Sequence, residues 1–189
     1  AIRDVVVPAL ERVREGHDLI KLNMGDPLSY PGLPTPSHMV DAFKEALERQ
    51  DNGSGPSYGI HDLREAIAKD EQSKGWDCRS DDVYVTHGVT EALQVLFAAF
   101  LEQGDTILAP GPHYPPYMAY PQMYGAKTVE YALDSDQGWA IDTDDIRRKM
   151  NDSVKFIVIV NPNNPTGNVA KPSTIREVLS IARDWPNCT

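Results

Sequence analysis

Three short stretches of this chain hold residue types suited to gripping a flat, anionic ligand. The first is Thr86-His-Gly-Val-Thr90, which runs into Glu91-Ala-Leu. Gly88 permits a tight turn, and the unpaired N–H groups at a helix start point outward with partial positive charge. With the Thr90 hydroxyl as an added donor, this is a phosphate cup. The same residues also describe a plain glycine turn with a threonine N-cap, and His87 a packed loop residue. The second is Pro110-Gly-Pro-His-Tyr-Pro-Pro-Tyr117. Its prolines stiffen the loop and fix Tyr114 and Tyr117, and a rigid aromatic at a strand end can stack on a flat ring. The bland reading is that both tyrosines pack against the core. The third is Asn161-Pro-Asn-Asn-Pro-Thr-Gly167, with two Asn-Pro bonds, either of which can be cis and reverse the chain sharply. Such a turn holds the Asn164 amide at a sheet edge, where it can donate to a ligand oxygen. A turn-rich strand exit is the alternative, but a plain turn does not need so many rigid residues in a row.

Regular elements must position these loops. From Val83 the pattern alternates strand and helix. Strands are expected at Val83–Thr86, Thr106–Ala109, Thr128–Leu133 and Phe156–Val160, the last apolar throughout as a buried parallel strand should be. Helices are expected at Glu91–Leu101, Pro116–Tyr124 (weakened by Pro121), Asp142–Met150 and Ser173–Asp184, the last capped by Ser173. This alternation predicts an α/β fold, a mostly parallel sheet covered by helices on both faces. Ligands of such sheets bind beyond the carboxyl ends of the strands, where all three loops fall. Upstream, Ile2–Arg14 has helical spacing, with Pro8 as a kink or late start. Leu19–Asn23 reads as a short strand, and 25–36 as a loop. Ser37 is placed to cap a helix over His38–Gln50 that turns Met39, Val40, Phe43, Ala46 and Leu47 inward. Leu63–Ser73 reads as a helix capped near His61 or Asp62.

Composition narrows the function classes. The 189 residues include 18 Lys+Arg and 28 Asp+Glu, a net charge of −10, with 41% apolar and 24% charged residues. An acidic chain of this kind is unsuited to meeting nucleic-acid phosphates. It is apolar enough to form a core, and no run approaches the ~20 apolar residues of a membrane helix. Cys78 and Cys188 form no CxxC, so neither a disulfide framework nor a metal site is expected. The three N-x-S/T triplets, at Asn52, Asn151 and Asn187, are read as chance matches. No secretion signal opens the sequence, and a reducing, cytoplasmic setting is expected. The first residue is Ala1 rather than Met.

At the three loops the chain resembles the class I/II aminotransferases, fold-type I enzymes that use pyridoxal 5'-phosphate. The resemblance extends in order through Leu22-Asn-Met-Gly-Asp-Pro27, Gly59-Ile-His-Asp-Leu-Arg-Glu-Ala66, Val89-Thr-Glu-Ala-Leu93, Pro110–Tyr117 and Asn161–Gly167. It is similar above all to the alanine aminotransferase-like branch. The resemblance implies a three-layer αβα large domain, incomplete here, over residues 34–189. Residues 1–33 would be an arm and small-domain segment. It implies that Gly88 and Val89 give backbone N–H groups, and Thr90 its hydroxyl, to the cofactor phosphate. Tyr114 would stack on the pyridine ring and Asn164 would bond the phenolic oxygen. Gly25 would let the substrate carboxylate approach the backbone. The implied partners are an amino acid, alanine-like, and a 2-oxo acid, with a homodimer as the assembly.

Two departures qualify the resemblance. Where the family often places a tyrosine that reaches the neighbouring subunit's phosphate, this chain has Ser54, with Tyr58 four residues on. The family's Schiff-base lysine, its pyridine-binding aspartate and its carboxylate-binding arginine match nothing here, and Lys127, Lys155 and Lys171 are expected at the surface. The chain is therefore expected to be part of a longer enzyme, inactive alone and prone to associate through an open strand edge. The rival readings are the effector domain of a transcription regulator built on this fold, and a carbon–sulfur lyase or decarboxylase that shares the same cofactor residues.

Overall fold

A computed structural model describes residues 2–20 and 32–188. They divide into two compact units, Ala1–Gly55 and Pro56–Thr189.

The first unit holds helices α1 (Ile2–Arg14) and α2 (Ser37–Glu48). Helix α1 starts at Ile2 and runs through Pro8 rather than starting after it. In α2 the N-cap is Pro36, and Ser37 makes no capping bond because it is already inside the helix. The expected inward residues are not buried: Met39, Val40, Phe43 and Leu47 are exposed, and only Ala46 is partly covered. An amphipathic stripe is buried only where something packs on it, and no residue of α2 is buried. The expected strand at 19–23 lies mostly outside the described residues.

The second unit runs α3 (His61–Ser73), α4 (Gly88–Phe100), β1 (Thr106–Gly111), α5 (Pro116–Met123), β2 (Lys127–Asp134), β3 (Ala140–Ile141), α6 (Thr143–Lys149), β4 (Val154–Ile157) and α7 (Pro172–Arg183). The sheet order is β3-β2-β1-β4. Strand β1 pairs in parallel with β2 on one side and β4 on the other, and the short β3 adds an antiparallel edge to β2. Side chains of β1 alternate between faces, as the two-residue period requires. Ile107 and Ala109 join Phe97, Leu101 and Tyr117 under α4 and α5. Leu108 joins Tyr131, Ile146, Val178 and Ile181 under α6 and α7. Two helical layers thus enclose one sheet, the three-layer αβα arrangement.

Several expectations need correction. Val83–Thr86 belongs to no ladder among the described residues. Instead the Val85 N–H donates to the Tyr58 carbonyl (3.0 Å), and the Val83 carbonyl accepts from Arg64 Nε (3.0 Å). Helix α4 begins three residues earlier than the apolar pattern suggested, at Gly88. The most buried strand is β1, whose Ile107, Leu108 and Ala109 are fully covered. The run Phe156–Val160 is half-buried and its regular pairing stops at Ile157, because β4 has a sheet neighbour only on its β1 side among the described residues. Helices α3 and α7 are preceded by Ile60 and Lys171 and have no side-chain caps. Pro121 is accommodated inside α5.

Candidate active site

The approach to α4 is built by glycines and a buried arginine. Gly59 has φ +105°, and a Cβ there would lie 2.6 Å from Val85 Cγ2. Only glycine lets the two segments touch. Beyond it, Gly88 turns with φ +74°, its N–H donating to the Thr86 carbonyl (2.8 Å) while the Thr86 hydroxyl donates to the Gly88 carbonyl (3.1 Å). The Glu91 carboxylate reaches back over the helix start, accepting from the His87 N–H and lying 3.0 Å from His87 Nδ1. The His87 backbone bond, and then its side chain, hold the Glu91 carboxyl below its usual range. Val89 and Thr90 are exposed. Their first-turn N–H groups lie ahead of the intrahelical bonds. The Thr90 hydroxyl makes no hydrogen bond within the described residues. Gly88's N–H is engaged by the Thr86 carbonyl, so the ready donors here are those of Val89 and Thr90.

The second loop separates its two tyrosines. Tyr117 is core: it is 7% exposed, and burial, then the neighbouring Tyr114, push its phenol above the usual range. Tyr114 is only half-buried, its ring edge-on to Tyr117 at 6.3 Å. Tyr117 thus lies inside the core, whereas Tyr114 packs against it with part of its surface open. The Gly111–Pro112 peptide bond is cis.

The third loop has cis bonds at both Asn161–Pro162 and Asn164–Pro165. It is braced from within. Asn163 is buried, its Nδ2 donating to Thr166 Oγ1 (2.9 Å) and its N–H to the Asn168 carbonyl (2.8 Å), while its own carbonyl accepts from Gly167 (2.7 Å). Asn161 Oδ1 accepts from the Ala170 N–H at 2.9 Å. This bracing leaves Asn164 exposed, with its amide making no hydrogen bond to the described residues. Asn163 Oδ1 is buried and unpartnered. Sequence reading passed over Asn163 and Glu91. The signal for Asn163 was an asparagine between two Asn-Pro bonds, and Glu91 had only its place in a first helical turn.

The second and third loops share one end of the sheet. Strands β1 and β4 are parallel, and the Val158 N–H donates to the Leu108 carbonyl at 2.8 Å, so the exits toward Tyr114 and Asn164 lie side by side. Leu93 of α4, Tyr114 and Val160 pack against the same apolar cluster. This packing ties α4, the second loop and the end of the Phe156–Val160 run to one core cluster, and among the described residues Thr90, Tyr114 and Asn164 make no hydrogen bond to one another. A separate apolar cavity of about 590 Å3 runs along α4 between Tyr84 and Phe100, and neither Tyr114 nor Asn164 lines it. Gly25 lies outside the described residues. Lys127 and Lys171 are exposed and Lys155 is half-buried, none of them against the loops' shared cluster.

A mostly parallel αβα sheet with motif-bearing loops after β1 and β4 is matched by one family of enzymes. Residues 17–186 match the family described as aminotransferase class I and II, and the chain belongs to it. It is 38% identical over 177 residues to the glutamate-pyruvate aminotransferase AlaA of Haemophilus influenzae, covering 93% of this chain and 43% of that protein. It is 34% identical to the alanine aminotransferase of Mycobacterium tuberculosis, covering 89% and 39%. Among solved structures, the alanine aminotransferase from Pyrococcus furiosus superposes with a TM-score of 0.94 at 46% identity, over 97% of this chain and 47% of that one. The chain spans less than half the length of these relatives. Among the described residues, no helix is long and apolar enough to cross a membrane.

Proposed function

We propose that the chain is the cofactor-gripping part of a pyridoxal 5'-phosphate-dependent aminotransferase, which moves an amino group between an alanine-like amino acid and a 2-oxo acid. The observation that supports this reading is the side-by-side exit of the parallel strands β1 and β4 toward Tyr114 and Asn164, with α4 packed on the same core cluster. The names of the relatives, alanine and glutamate-pyruvate aminotransferases, favour amino transfer over the lyase and regulator readings. The residues fit the cofactor: exposed N–H donors at a helix start, a half-covered aromatic ring and an unengaged amide.

In this reading the N–H groups of Val89 and Thr90 and the Thr90 hydroxyl donate to the phosphate. The helix dipole adds to their pull. Gly88 contributes its N–H once that group leaves the Thr86 carbonyl. Tyr114 supplies a flat apolar surface for the ring. The Asn164 amide donates to the phenolic oxygen and favours negative charge there. When bound, the cofactor supplies an electron sink for the bond broken at the substrate's α-carbon. Gly25 admits the substrate carboxylate. In this reading none of Lys127, Lys155 and Lys171 carries the proton. We further propose a cytoplasmic homodimer, with 1–33 as arm and small-domain segment and 34–189 as part of the large domain.

The test is to incubate the full-length protein with pyridoxal 5'-phosphate, then with alanine and a 2-oxo acid. A bound-cofactor absorption band and alanine-dependent amino transfer are expected, with no turnover by the 189-residue chain alone. Absence of the band overturns the cofactor assignment. Sulfide release when cysteine replaces alanine, with no amino transfer to the 2-oxo acid, assigns a lyase, and turnover by the chain alone overturns the division of labour.

A further inference from the structure

We propose that His113 and Glu130 form a latch that positions Tyr114, so that both are positioning residues for the stacking site; this rests on the reading of Tyr114 given above. Although His113 sits in a loop, its side chain is only 7% exposed. Its Nδ1 lies 2.9 Å from the Tyr114 carbonyl. A carbonyl can only accept, so Nδ1 is the donor. On the other side of the ring, Nε2 lies 3.2 Å from Glu130 Oε1. The carboxylate oxygen also only accepts, so both contacts are hydrogen bonds when the ring is the imidazolium, which then has one orientation and holds the peptide unit that carries Tyr114.

The latch is anchored in the sheet. Glu130 pairs in register with Ala109 of β1. Its side chain lies so close over Gly111 that a Cβ on that glycine would sit 3.1 Å from Oε2. Two residues earlier on the same face of β2, the Thr128 hydroxyl donates to the Tyr117 carbonyl. Strand β2 therefore grips the loop on both sides of Tyr114, at His113 and at Tyr117. The His113 and Tyr117 rings meet edge-to-face at 6.4 Å, which closes the cluster. A histidine that merely filled space would not need both nitrogens matched to oxygens.

The test compares His113→Phe, His113→Asn, Glu130→Ala and Tyr114→Ala in the full-length protein. Three readouts are used: the melting temperature without cofactor, the dissociation constant for pyridoxal 5'-phosphate, and the circular dichroism of the bound cofactor's visible band. Phenylalanine fills the space but breaks both contacts, and is expected to weaken cofactor binding about tenfold and to diminish the dichroic band at saturation. Asparagine keeps a donor near the Nδ1 position and is expected to recover part of both. Glu130→Ala, at a half-exposed side chain, should shift both readouts the same way with little change in melting, which covers the case where His113→Phe fails to fold. Wild-type affinity and dichroism in His113→Phe and Glu130→Ala, with Tyr114→Ala still impaired, overturns the latch and spares the stacking role. Wild-type behaviour in Tyr114→Ala as well overturns the underlying reading.

Discussion

The guanidinium carbon of Arg64 lies 4.5 Å from the centroid of the Tyr58 ring. The same guanidinium donates through Nε to the Val83 carbonyl at 3.0 Å and through Nη2 to Asp81 at 3.1 Å. Tyr58 also meets Tyr84 edge-to-face at 6.5 Å, so its ring is tied to the segment that leads into α4. Arg64 is buried, whereas the Asp81 side chain is 90% exposed. Removing Arg64 leaves a buried carbonyl without its donor, and Arg64→Ala is expected to cost about 2–4 kcal/mol. Asp81→Ala removes only a solvated partner and should cost under about 1 kcal/mol. Urea midpoints of the two variants check this, and equal losses would show that the ion pair, not the buried network, carries the stability.

Glycines before and at the start of α4 should differ in cost. Gly88 has a positive φ but open space around a hypothetical Cβ, so Gly88→Ala bears only the left-handed penalty, about 1–2 kcal/mol. Gly59 has both a positive φ and a clash at 2.6 Å with Val85. Gly59→Ala is expected to destabilise by more than about 2 kcal/mol, the added part coming from forced separation of the packed segments. Thermal melting of the pair measures the difference.

Asp145 carries a pH-dependent share of stability. Burial pushes its carboxyl upward, but the Lys149 ammonium at 2.6 Å, the Ala132 N–H at 2.8 Å and the Arg148 guanidinium at 3.1 Å outweigh that and hold it below its ordinary value. A carboxyl lowered on folding stabilises the native state above its unfolded pKa, near 3.8, and that share is lost as pH falls through the lower folded value. Asp145→Asn should therefore lose roughly 1–3 kcal/mol at pH 7. The gap from wild type should narrow below about pH 3.5. A gap that stays constant between pH 7 and pH 3 refutes the ionic account.

What the sequence made legible follows from how local each signal was. The succession of strand-like and helix-like segments located β1, β2 and their flanking helices, because side chains on those elements face packed layers on the same stretch of chain. The Asn-Pro pairs marked Asn164 because proline chemistry is written in single residues. What failed depended on neighbours. Val83–Thr86 has strand-like residues but no strand beside it among the described residues. Phe156–Val160 reads as the sheet's centre, yet β4 is paired on one side only. Ser37 and Ser173 are good caps by type, but the N-caps of α2 and α7 lie one and two residues earlier, at Pro36 and Lys171. His113 and Glu130, 17 positions apart by their numbers, carried no local sign of their meeting.

The chain expressed alone is expected to self-associate. The free side of β4 among the described residues, together with exposed Val95, Leu96 and Phe100 on α4, presents a strand edge beside apolar surface. Sedimentation should show mass rising with concentration, together with binding of a hydrophobic dye. A monodisperse monomer that melts cooperatively contradicts the expectation.

Asn163 and Asn164 are sequence neighbours with opposite burdens, and their alanine variants should separate stability from binding. Asn163 is 7% exposed and braces the turn through Thr166, Gly167 and Asn168. Its backbone bonds survive truncation, so Asn163→Ala loses the Thr166 contact and side-chain packing, about 1–2 kcal/mol. The unpartnered Oδ1 lowers that figure, since removing an unsatisfied buried acceptor relieves its desolvation cost. Asn164 is exposed and makes no bond to the described residues, so Asn164→Ala should leave melting within about 0.5 kcal/mol of wild type. If its amide serves the phenolic oxygen, the same variant of the full-length protein should bind pyridoxal 5'-phosphate about tenfold more weakly. Asn163→Ala should impair binding only as far as the loop loosens. Equal binding losses without any difference in melting would mean that the turn acts as one unit and that Asn164 has no separate contact.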